Sequence, residues 1–128
     1  MFNRRTMLGA SVSCISCVAL AGGVRADALP QRGTYDGTGI ADGMILIIRR
    51  DGARLMGTFI DPRGQEAAFE LDIDDQEIAS GLVRVGRRPL VMTLELLNSN
   101  VMAMGTVPLD ENYQPVMNAA RGFEFIRR

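Results

Sequence analysis

Met44-Ile45-Leu46-Ile47-Ile48-Arg49-Arg50-Asp51-Gly52-Ala53-Arg54-Leu55-Met56-Gly57-Thr58-Phe59-Ile60 reads as two apolar runs joined by a turn. Asp51-Gly52 can supply the positive φ angles of a tight hairpin, so Met44 to Arg49 and Arg54 to Ile60 are expected to be antiparallel neighbours. The first run is apolar on both faces. A half-exposed strand avoids that pattern, so the second face of Met44 to Ile48 is expected to lie under a terminal segment, a second subunit or a ligand.

Working outward, turn signals recur at short, even spacing: Asp61-Pro62-Arg63-Gly64, Asp74-Asp75-Gln76, Gly86-Arg87-Arg88-Pro89, Asn98-Ser99-Asn100 and Asp110 to Pro115. Between them the chain alternates. Ala67, Phe69, Leu71 and Ile73 oppose Glu66, Glu70 and Asp72; Leu90, Met92, Leu94 and Leu96 oppose Val91, Thr93, Glu95 and Leu97; Phe123 and Phe125 oppose Gly122, Glu124 and Ile126. No stretch longer than about ten residues carries a helical repeat. With Tyr35 to Ile40 as a first strand and Val116 to Ile126 as one or two last ones, the fold class is all-β. It is a small antiparallel meander of seven or eight strands, a barrel or barrel-like sandwich, with sequential strands paired in order.

Gly33-Thr34-Tyr35-Asp36, followed by Asp51 to Phe59 with its Gly57-Thr58-Phe59, resembles the opening strand and hairpin of avidin-like and lipocalin-like barrels. The resemblance covers about 30 residues and implies an up-and-down barrel. Tyr35 stands where those families have tryptophan. The chain has no tryptophan at all, so the aromatic walls of a biotin site are missing.

The amino terminus reads as an export signal. Arg4 and Arg5 precede an uncharged stretch from Thr6 to Val24, and Ala26-Asp27-Ala28 is an A-x-A cleavage pattern. Asn3-Arg4-Arg5-Thr6-Met7-Leu8 resembles the bacterial twin-arginine motif, with Met7, Asn3 and Gly9 departing from its commonest residues. A general secretory signal is the alternative. Either route implies a periplasmic or secreted bacterial protein, with residues 1–28 removed and 29–128 forming one all-β domain without a stable membrane span. Cys14 and Cys17 fall within the removed segment, so the mature chain has no cysteine and must be stable without a disulfide.

All 14 basic residues are arginine, since the chain has neither lysine nor histidine. Removing Arg4, Arg5, Arg25 and Asp27 leaves 11 arginines against 14 acids, a formal charge of −3, and no excess that would attract nucleic acid. Without His, Cys or Lys after cleavage, Ser-His, Cys-His and Ser-Lys nucleophile pairs cannot form, and zinc and haem lack their usual ligands. Glu70 and Glu95 are the remaining acid–base candidates. Both read as solvent-facing, where nothing shifts a carboxyl pKa, so the chain is read as no enzyme and as carrying no cofactor. Asp72, Asp74 and Gln76 have calcium-loop spacing, but Glu77 and Val83 stand where that loop needs Gly and Glu. The methionines Met44, Met56, Met92, Met102, Met104 and Met117 read as adaptable core filler in preference to a copper(I) site.

Two functions follow. The first is a non-enzymatic binding barrel for an apolar or amphipathic small molecule. Its lining would be Leu46, Ile48, Met92, Leu94, Met102 and Met104, with Arg49 and Arg87 at the mouth for an anionic head group. The second is an interaction module or accessory subunit that uses the second face of Met44 to Ile48 against a partner protein or its own copy as a homodimer.

Overall fold

Eight antiparallel strands follow one another around a closed barrel in the computed structural model, which describes residues 28–128. The export signal read from the sequence, including Arg4, Arg5, Cys14 and Cys17, lies outside the described residues up to Asp27. The strands are β1 (Arg32–Thr38), β2 (Ile45–Asp51), β3 (Arg54–Ile60), β4 (Glu66–Ile73), β5 (Ala79–Val85), β6 (Arg88–Asn98), β7 (Val101–Pro108) and β8 (Arg121–Arg127). Short 3₁₀ turns occur at Gly39–Ala41 and Met117–Ala119. β8 returns to β1 through Tyr35↔Arg127 to Thr38↔Glu124, which removes the two edges an open meander would leave.

Boundaries move where backbone chemistry is local. The first strand begins at Arg32, ahead of the expected Tyr35. It stops at Thr38 because Gly39 takes φ +59 and folds the chain so that Gly37 N–H donates to Met44 O at 2.9 Å. The β2–β3 hairpin turns on Gly52-Ala53, with Asp51 already paired to Arg54. Only Gly52 has positive φ, as a type II′ turn requires, and Gly86-Arg87 repeats this between β5 and β6. Val116 to Ile126 yields one strand preceded by a 3₁₀ turn.

The alternating sets face as the sequence reads. Tyr35, Leu46, Ile48, Leu55, Phe69, Leu71, Val83, Met92, Leu94, Leu96, Met102, Met104 and Phe125 are buried together inside the barrel. Burying each large apolar side chain stabilises by about 1.5–3 kcal/mol. Glycine makes room where the wall is tightest: a Cβ on Gly57 would sit 2.5 Å from the Phe69 ring, which covers that glycine from the inside. β4 and β5 form the shortest seam, with only Asp72↔Ser80 and Ile73↔Ala79 in register.

The two ends differ. One carries the β2–β3, β4–β5 and β6–β7 turns and is capped by Leu29, Arg50 and Glu77. The other carries Gly39–Ala41, Gly64, Gly86 and the long 109–120 loop, beside half-buried Met44, Phe59, Leu90 and Phe123.

Candidate functional site

Leu46, Ile48, Met92, Leu94, Met102 and Met104 all point into the barrel and meet there, none more than 5% exposed. They belong to one continuous core with Tyr35, Leu55 and Phe125. Two shallow concavities among the described residues open on the outside of the wall. One, about 440 Å³, is lined by Thr38, Ile40, Ala103, Met104, Phe123 and Glu124; the other, about 410 Å³, by Met56, Gly57, Ala68, Phe69 and Glu70. The six interior residues are buried in one packed cluster with their neighbours, as the interior of a barrel of about eight strands allows.

The two arginines expected at one mouth are not brought together. Arg49 lies on β2 near the capped end, whereas Arg87 sits in the β5–β6 turn at the far end. Strand parity also splits the arginine pairs. Arg49 faces outward, its Nη2 3.7 Å from Met56 Sδ, and Arg50 turns inward to Glu77. Arg127 donates to Tyr35 Oη at 3.1 Å and to Arg32 O, its guanidinium 5.6 Å from the Tyr35 ring centroid. Arg128 holds Asp36 at 2.7 Å, and its hydrogen bonds keep the Asp36 carboxyl below the ordinary carboxylate range.

Outside, the strand registers build a patch of three rows across β1 to β4. The rows are Arg32, Arg49, Met56, Glu70; Thr34, Ile47, Thr58, Ala68; and Asp36, Ile45, Ile60, Glu66. Its middle is apolar, and no described residue covers it: Ile47 is 41% exposed. This is the second face of the Met44 to Ile48 run. Its β1 side carries Arg32, Arg49 and Arg128 against Asp36. Its β4 side carries Glu66, Glu70 and Asp72 against Arg54, which binds Glu70 at 2.6 Å. The charge excess thus changes sign across the patch.

The carboxylate expectation needs one correction. Glu70 is exposed and ion-paired, but Glu95 is half-buried on β6, and burial, then the charge of Asp74, pushes its carboxyl up. β5 separates the two strands. Asp74 makes a turn: its Oδ1 accepts from Gln76 N–H and Ile78 N–H at 2.8 and 3.0 Å. Among the described residues no group of three or more His, Cys, Asp or Glu is placed to hold a metal ion, and no helix is long and apolar enough to cross a membrane.

The sequence reading missed the cap. Arg50 Nη1 and Nη2 grip Glu77 Oε1 and Oε2 at 2.6 and 3.1 Å, and Nη1 also donates to Leu29 O at 3.0 Å. Leu29 N–H donates to Glu77 Oε1 at 3.0 Å, and Leu29 is 3% exposed. The signal was present in parity: Leu46 and Ile48 face in, so Arg50 does too, and an inward arginine at a barrel end needs an acid partner.

The fold defines a class, the eight-stranded antiparallel up-and-down barrel, with a filled interior and one uncovered apolar wall. No family model, curated protein or solved structure matches the chain. The likeness to avidin-like and lipocalin-like barrels accordingly rests on residues 33–36 and 51–59 alone.

Proposed function

We propose that this chain is an exported, non-enzymatic interaction module of the bacterial periplasm that pairs with a second copy of itself through the outer wall of β1 to β4. The observation that carries the reading is the contrast between a packed core and an outer wall where Ile47 is exposed beside half-buried Ile45 and Ile60. A two-fold axis running along the strands between β2 and β3 lays Ile45 of one copy over Ile60 of the other. The same axis brings the basic β1 side of each copy over the acidic β4 side of its partner, Arg32 facing Glu70. An apolar centre with a charged rim is the usual anatomy of such contacts, and the self-complementary rim selects a like partner.

Sedimentation velocity tests it. The wild-type protein is expected to sediment as a dimer, Arg32→Glu and Glu70→Arg singly as weaker dimers or monomers, and the double swap as a dimer again. A wild-type protein that stays monomeric at high concentration defeats the proposal.

A second reading, carriage of an apolar small molecule, has one observation in its favour: the outer groove of about 440 Å³ between Ile40, Met104 and Phe123, with Ile40 itself 73% exposed. Ile40→Asp is expected to abolish carriage if that groove is the site.

A further inference from the structure

We propose that the Ala28–Leu29 peptide bond is the maturation site of this protein, and that Glu77 with Arg50 forms a built receptor for the α-ammonium group that cleavage creates on Leu29. The inference rests on the export reading above. Two independent observations meet at this bond. The sequence places Ala26-Asp27-Ala28 immediately before it, the small-residue pattern an export peptidase cleaves after. The structure changes character at the same point: Ala28 is exposed, whereas Leu29 is buried in the end of the barrel.

The contacts at Leu29 suit a chain end. Its nitrogen lies 3.0 Å from Glu77 Oε1, and its carbonyl accepts from Arg50 Nη1 at 3.0 Å. Arg50 N–H in turn donates to Gln31 O at 2.7 Å, so the segment is held at both ends of one short loop. In the uncut chain that nitrogen is a neutral amide with one hydrogen. Hydrolysis breaks the C–N bond: water supplies hydroxyl to the Ala28 carbonyl carbon and a proton to Leu29 nitrogen. The new amine takes up a further proton at neutral pH and becomes an ammonium with three donors. The single amide N–H that met the Glu77 carboxylate is thereby replaced by a full positive charge, so the contact becomes an ion pair. Glu77 reaches this place from a left-handed conformation, φ +63, in which glycine would be the unstrained choice. From there its carboxylate touches both the Leu29 nitrogen and Arg50.

The absence of lysine makes the test direct, because the α-amine is the only amine of the chain. The full chain is expressed, and the protein recovered from the periplasm is measured by intact mass and then acetylated with an N-hydroxysuccinimide ester at neutral pH, folded and in denaturant. The expected mass is that of residues 29–128, with acetylation at least about tenfold slower in the folded protein, the effect of raising an amine pKa by about one unit. Glu77→Gln is expected to return the rate toward the unfolded value, and Asp75→Asn in the same turn to leave it unchanged. A mass retaining Met1 overturns the export reading and this inference with it. A mature chain beginning elsewhere, or one beginning at Leu29 that acetylates equally fast folded and unfolded, overturns this inference alone. Should Glu77→Gln not fold, the folded-against-unfolded comparison of the wild type still decides.

Discussion

Asp61, Asp74 and Asp110 each open a turn built the same way. The Oδ1 of each accepts from the N–H groups two and four residues on, and the residue three places on has positive φ. Only the first turn has glycine there, Gly64; the others have Glu77 and Tyr113. Those side chains are used, Glu77 on Arg50 and Tyr113 Oη on Arg84 at 2.6 Å. Gly64→Ala is expected to cost about 1 kcal/mol in urea unfolding. Tyr113→Gly is expected to gain up to about 1 kcal/mol, because the hydrogen bond it loses is exposed. Aspartate and turn position were legible in the sequence; the left-handed residues were not, since neither Glu nor Tyr announces positive φ.

Glu95 gives a pH prediction. Its folded pKa is raised, so the ionised side chain opposes folding above that pKa, and the penalty disappears as pH falls through it toward the ordinary value of 4.5. Glu95→Gln is therefore expected to melt above the wild type at pH 7, with the gap closing as pH falls below the raised pKa. Equal melting at pH 7 counts against the burial assigned to Glu95.

At the scale of elements, β1 and β2 show what periodicity can and cannot deliver. Alternation fixed which faces of β4, β6 and β8 point inward, because a strand has only two sides and one must be dry. It could not place the end of β1, which depends on a backbone contact: a Cβ on Gly37 would lie 1.9 Å from Ala41 O. Gly37→Ala is expected to destabilise by about 3 kcal/mol or more, since the clashing atom is backbone and cannot rotate away. Leu94, fully buried on β6, is expected to cost about 2–5 kcal/mol when changed to Ala. Both are read from chemical denaturation midpoints.

For the molecule as a whole, short connections favoured pairing of sequential strands, but closure was open between a barrel and a barrel-like sandwich, since it depends on β8 reaching β1. The apolar excess on β2 was also legible. What it faces was not, because that depends on how the register of β2 and β3 aligns Ile45 and Ile47 with Ile60. Likewise, adjacency in sequence paired Arg49 with Arg50, and the pleat sent them to opposite sides of the wall. Ile47→Asp, on a side chain that is 41% exposed, is expected to leave the barrel's circular dichroism intact while removing self-association.

The most direct measurement is native mass spectrometry of the protein purified from its own host, beside a denatured run of the same sample. A filled barrel that pairs through its outer wall predicts twice the chain mass with no small adduct. A single chain carrying a small mass that is lost on denaturation would contradict it.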